Sequence, residues 1–285
     1  MPIHAALARL DAALLHPGAG PGRSRARRFA FEFTLLWIKQ ARACLFAVVL
    51  CGAIVLVPRS GVLGLPRYDV LLLVALATQA WLLWRRVETW DEAKTIAVFH
   101  LCGFALEAFK VSPGIHSWSY PDAAWTKLLG VPLFSGFMYA AVGSYVMQAW
   151  RMLHLRVERH PPYWMTGLLA TLMYVNLFTH HRFGDQRWLL AAVALGLYAR
   201  CTVVFSPMDR ERRMPLLLGF VLIGFFIWLG ENFATLFGIW RYPNQLLGWA
   251  PVDIGKWSSW AMLAMLSFTL VTNLKHVKER IQLAS

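Results

Sequence analysis

Residues 107–121 read Glu-Ala-Phe-Lys-Val-Ser-Pro-Gly-Ile-His-Ser-Trp-Ser-Tyr-Pro, and residues 231–243 read Glu-Asn-Phe-Ala-Thr-Leu-Phe-Gly-Ile-Trp-Arg-Tyr-Pro. Both contain Glu-x-Phe, a glycine seven residues after the glutamate (Gly114, Gly238), and Trp-x-Tyr-Pro. Each follows one long apolar run and precedes another. One signature is therefore stated twice, and the rest of the chain reads as scaffold for the pair.

Composition sets the class. Of the 285 residues 58% are apolar and 15% are charged, against about a quarter charged in a soluble domain. Apolar runs recur along nearly the whole length, as expected of a polytopic helical membrane protein. They fall at about 41–57, 70–84, 95–111, 131–150, 164–179, 188–205, 215–237 and 257–274, which predicts an all-α bundle of about eight transmembrane helices. The net charge of +13 is spread over short loops, so it is read as a topology signal and not as a nucleic-acid surface. With the N-terminus inside, the inner segments hold twenty Lys and Arg residues and the outer segments eight. That predicts eight spans with both termini in the cytoplasm. Residues 1–30, rich in Pro, Gly and Arg, read as a mobile basic cytosolic arm.

Glu107 and Glu231 end the third and seventh runs. An even number of helices separates them, so the halves 31–160 and 161–285 are expected as two parallel four-helix repeats about an axis along the membrane normal. Arg67-Tyr68-Asp69 before the second run is echoed by Arg182-Phe183-Gly184-Asp185 before the sixth.

A carboxylate inside a membrane is costly unless it is paired, protonated or facing water. Glu107 and Glu231 are thus candidate acid–base groups, able to protonate a weak base, bind a cation or relay a proton. The plainer alternative is a structural hydrogen bond to a neighbouring helix. Trp118, Tyr120, Trp240 and Tyr242 either anchor the loops at the interface or line a cavity as aromatic walls. His180 and His181, at the end of the fifth run, are candidates for proton transfer. Neighbouring histidines on a helix point about 100° apart, so a metal site there, with Asp69, Asp185 or His100 as extra ligands, is the minor reading. Asn232, beside Glu231, is a candidate contact to substrate. Cys44, Cys51, Cys102 and Cys201 have no metal-type spacing. Glu88, Asp91 and Glu92 read as a solvated charge cluster.

The chain resembles a bacterial membrane family known as domain of unknown function 817, the YoaT-like proteins. The resemblance rests on Leu-Pro-Arg-Tyr-Asp (65–69), Val-Phe-His-Leu-Cys-Gly-Phe-Ala-Leu-Glu (98–107), Trp-Ser-Tyr-Pro (118–121) and Gly-Val-Pro-Leu-Phe-Ser-Gly-Phe-Met-Tyr-Ala (130–140). Phe-Thr-His-His (178–181), Gly-Glu-Asn-Phe-Ala-Thr (230–235) and Trp-Arg-Tyr-Pro-Asn-Gln (240–245) complete it. The pattern of Glu, aromatic-Tyr loop and Gly-Val-Pro-Leu is also similar to membrane-embedded lycopene cyclases and carotenoid hydratases. That likeness implies acid-catalysed chemistry on an apolar isoprenoid-type lipid. The leading expectation is an enzyme of this kind among membrane lipids; the alternatives are a proton-coupled small-molecule transporter and a non-catalytic assembly partner. The sequence names no cofactor, no substrate and no oligomeric state.

Overall fold

In a computed structural model of the chain, residues 24–284 and positions 9 and 12–14 are described. The helices are α1 (Arg25–Ala43), α2 (Leu45–Leu56), α3 (Arg67–Trp84), α4 (Trp90–Val111), α5 (Ser135–Met152), α6 (Tyr163–Phe183), α7 (Arg187–Tyr198), α8 (Leu216–Leu236) and α9 (Lys256–Ala284). Two small antiparallel sheets join them. One pairs β1 (Lys127–Leu128) with β2 (Val131–Pro132). The other has the order β3-β4-β5, from Arg156–Glu158, Thr202–Phe205 and Arg212–Pro215. The protein is thus mostly helical.

Local chemistry sets the helix ends. At the head of α4, Thr89 accepts from the Glu92 N–H while Glu92 accepts from the Thr89 N–H, a reciprocal box that satisfies two free donors. Pro66, Pro162 and Pro215 stand at the N-caps of α3, α6 and α8, where a missing N–H costs nothing. Gly61, at φ +81°, closes a turn in which a Cβ would lie 1.9 Å from the Leu65 carbonyl oxygen.

By length and composition one helix, α8, suffices to cross a bilayer. The pair α1–α2, bent by 70°, passes the same test as a unit. The run at 188–205 departs from the sequence expectation: α7 ends at Tyr198, and 202–205 forms β4. Twelve helical residues rise only about 18 Å. The β-branched Thr202-Val203-Val204 segment pairs on both sides, with β3 and β5. An apolar run does not by its pattern distinguish a buried strand from a buried helix. The fourth run likewise starts as strand, at Val131, and becomes helix only at Ser135.

Two further expectations change. The basic arm drawn over 1–30 lies largely outside the described residues, and its last part is ordered: α1 begins at Arg25, with the Ser24 hydroxyl accepting from the Arg27 N–H. This end is clamped to the β4–β5 hairpin by Arg28 on Asp209 (2.6 Å) and Arg212 on Glu32 (2.6 Å). Glu88 is not solvated. It is 2% exposed, and it accepts from the Ser144 hydroxyl and from the Gln79 amide at 2.7 Å. A buried carboxylate without such donors would cost several kcal/mol, of the order of 3–5.

Among the described residues the core forms three apolar clusters. The largest lies between α4, α5, α6, α7, α8 and α9. A second packs Leu50, Tyr68, Leu71 and Phe134 against Tyr120, Trp240 and Tyr242. The Trp-x-Tyr-Pro loops are therefore core elements and not exposed interfacial anchors. A third, smaller cluster holds Phe46, Ala75, Leu82 and Ala141.

Candidate functional site

The two repeated loops meet. Ser119 and Arg241, the middle residues of Trp-Ser-Tyr-Pro and Trp-Arg-Tyr-Pro, exchange both backbone hydrogen bonds, at 3.0 and 2.9 Å. The aromatic residues on either side then pair crosswise: Trp118 with Tyr242 at 5.8 Å between centroids, and Tyr120 with Trp240 at 6.4 Å.

Each loop returns a tyrosine to its own glutamate. The Tyr120 hydroxyl donates to Glu107 Oε2 (2.8 Å), joined there by the Trp118 indole N–H (2.7 Å), while the Tyr139 hydroxyl of α5 donates to Oε1 (2.7 Å). On the other side the Tyr242 hydroxyl donates to Glu231 Oε1, and the Trp260 indole of α9 donates to Oε2 at 2.7 Å. Glu107 and Glu231 are 4% and 3% exposed. Burial, followed by the neighbouring carboxylate, holds the Tyr120 and Tyr242 phenols well above the ordinary tyrosine value, so both remain donors.

The two carboxylates share one aromatic wall. Tyr139, on Glu107, lies 6.4 Å from Trp260, on Glu231. Lys256 closes the wall. Its ammonium stands 3.5 Å from the Tyr242 ring centroid, 5.2 Å from that of Trp118 and 3.7 Å from Glu231 Oε1. An ammonium held over aromatic faces and beside a carboxylate is a cation box whose occupant is the chain's own lysine.

The frame comes from the head of α3. Arg67 donates to the carbonyls of Phe237 (2.9 Å) and Ile54 (2.7 Å), and the Tyr68 hydroxyl donates to that of Ile239 (2.7 Å). Asp69 accepts from the N–H groups of Trp125 (2.8 Å) and Thr126 (2.9 Å). One tripeptide thus fixes the segment leading into the second loop and the segment leaving the first. Arg182–Asp185 does not repeat this role, since Asp185 binds Asn176 and Arg187 beside it.

The other candidates lie apart from the carboxylates. His180 and His181 stack at 3.8 Å between centroids and share the Lys110 ammonium, at 3.3 and 2.9 Å. His180 Nδ1 faces the Asn176 carbonyl at 2.9 Å, so Nδ1 carries the proton and Nε2 accepts from Lys110. No group of three metal-ligating side chains occurs among the described residues. Asn232 turns away from Glu231: its amide donates to the Trp228 carbonyl (2.9 Å) and accepts from the Val252 N–H (2.9 Å), tying the 250–253 segment to α8. Trp240 makes no hydrogen bond to Glu231, and Trp260 fills the position that Trp118 holds on Glu107. Three members of the site, Tyr139, Lys256 and Trp260, were not singled out in the sequence. Tyr139 lies within the 130–140 stretch shared with the YoaT-like family. Lys256 and Trp260 carry no local signal beyond following the second loop.

The fold and site define a helical protein with two buried glutamates behind a common aromatic wall. A family model described as "Protein of unknown function (DUF817)" matches residues 32–268, and the chain belongs to this family. The "Uncharacterized protein YoaT" of Bacillus subtilis (strain 168) is 46% identical over 242 residues, which cover 85% of this chain and 91% of YoaT. No solved structure matches. Neither match shows the expected likeness to lycopene cyclases and carotenoid hydratases.

Proposed function

We propose that the protein is a multi-pass membrane carrier of small organic cations, in which Glu107, Glu231 and Lys256 form the coupling site. The observation that carries this reading is the box itself. Two buried carboxylates, one from each repeated motif, flank an aromatic wall that already holds a primary ammonium. An alkylammonium from solution has the charge and shape of the Lys256 head group. Exchange between the two requires only that one flexible side chain swing out. In this reading the eight apolar runs form a bundle of parallel repeats with both termini cytoplasmic, α7 being a short member. The outward apolar side chains support a lipid-facing surface: Val48, Leu56, Leu73, Leu101, Leu168, Leu172, Val193 and Phe226 are all exposed.

The alternative, acid–base chemistry on an isoprenoid-type lipid, draws support from the same aromatic faces, which would stabilise a carbocation. It requires Glu107 or Glu231 to carry a proton and pass it to a substrate that takes the place of one of the acid's present partners. Each oxygen of both acids already accepts a hydrogen bond from an aromatic side chain, so the carrier reading is favoured.

Uptake of labelled methylammonium into proteoliposomes under an imposed pH gradient tests the proposal. Uptake by wild type above that of empty vesicles is expected, with loss of at least tenfold in Glu231→Gln and Lys256→Met. Uptake no greater than in empty vesicles overturns it. Lipid profiles of cells that differ between wild type and Glu107→Gln would then favour the enzyme.

A further inference from the structure

A cavity of about 190 Å³ opens beside the C-terminal end of α8, behind the second repeated loop and apart from the glutamates. Two guanidinium-bearing residues, Arg59 and Arg241, line it together with Leu236, Gly238, Leu247 and Trp249. Among the described residues neither arginine has a carboxylate partner, although the nearby Arg67 is paired with Asp122 at 3.7 Å. The site is built. Gly238, at φ +68°, lets the Arg59 guanidinium lie where a Cβ would meet it at 2.2 Å. The buried Gln245 side chain accepts from the Tyr242 N–H and donates to the Ala250 carbonyl, holding the loop that forms one wall. The Trp249 indole donates to the Thr235 hydroxyl at 3.2 Å, fixing the ring at the rim. At the mouth of the cavity the lining is apolar: Leu236, Leu246 and Trp249 are exposed, and Leu247 is wholly so.

Two unpaired guanidinium groups in one concavity select an oxyanion, and the planar fork of arginine suits phosphate in particular. The apolar lip selects an amphiphile. We propose that this cavity binds the phosphate group of an anionic amphiphile, with its chains passing over Leu236, Leu246 and Leu247. The phosphate site is independent of the carrier function; only a membrane lipid as its source rests on the membrane reading.

The test uses full-length protein purified in a non-ionic detergent. Native mass spectrometry measures retention of phosphatidylglycerol against phosphatidylcholine, and calorimetry measures binding of inorganic phosphate to delipidated protein. Wild type is expected to retain phosphatidylglycerol at least tenfold more than phosphatidylcholine. Arg59→Gln with Arg241→Gln should reduce that preference to near one, with the thermal unfolding midpoint unchanged. If inorganic phosphate binds with the same arginine dependence and the lipids are not distinguished, the ligand is a soluble phosphate at the proposed site. If the double variant unfolds, Leu247→Asp serves in its place: the side chain is free in solution, and a carboxylate at the mouth should lower phosphatidylglycerol retention severalfold. The proposal is overturned if wild type binds neither probe. Retention undiminished in the folded arginine variant or in Leu247→Asp also overturns it.

Discussion

Glu107 accepts three hydrogen bonds from side chains of two segments: an indole and a phenol from a loop, and a second phenol from α5. A carboxylate is acceptor-only when ionised, so this shell is the solvation that burial removed. Glu231 receives two such donors and takes Lys256 in place of a third. The inequality between the acids is therefore one of partner: a neutral donor at one, a cation at the other. Tyr139→Phe removes one donor from a buried acceptor with little loss of volume. It should destabilise the protein by about 1–3 kcal/mol in reversible unfolding from mixed micelles. Tyr174→Phe, which loses only a bond to the Cys102 carbonyl, should cost less, about 0.5–1.5 kcal/mol. Equal unfolding midpoints for Tyr139→Phe and wild type would contradict the assigned role.

Among the elements, the first turn of α3 does more than begin a helix. Arg67 and Tyr68 hold the backbone before Trp240, while Asp69 holds the backbone after Tyr120. The two loops are thus joined twice, once to each other at Ser119–Arg241 and once through α3. Asp69→Ala leaves the N–H groups of Trp125 and Thr126 without their acceptor. Hydrogen–deuterium exchange over 122–127 should accelerate at least tenfold, with exchange over 237–242 little changed because Arg67 and Tyr68 remain. Uniform acceleration of both segments, or of neither, would show that Asp69 is not a selective tie.

For the molecule as a whole, the proposed multi-pass topology assigns each loop to one side of a membrane. The four native cysteines are half-buried or buried, so a single added thiol reports cleanly. In the proposed topology Ala123→Cys should react with a membrane-impermeant maleimide in intact cells. Asp209→Cys should react only after the cells are opened. Reversed labelling would invert the orientation, and labelling of both in intact cells would exclude the multi-pass arrangement.

The helical class and the paired Glu…Trp-x-Tyr-Pro signature were legible in the chain, because hydropathy and repetition are local properties that survive without coordinates. The ends of the apolar runs were less so: at 131–134 and 202–205 strand and helix share one composition, and pairing partners distant in sequence decided between them. The site was divided in the same way. Its carboxylates are conspicuous because charge is rare in apolar sequence. Lys256, Trp260 and Tyr139 lie on other helices, and no spacing rule connects them to the acids. Only the folding of α5 and α9 onto the two loops made a pair of costly charges into a solvated, cation-holding box. Hydrogen bonding and cation–aromatic contact act over a few ångströms in space, whatever the separation along the chain.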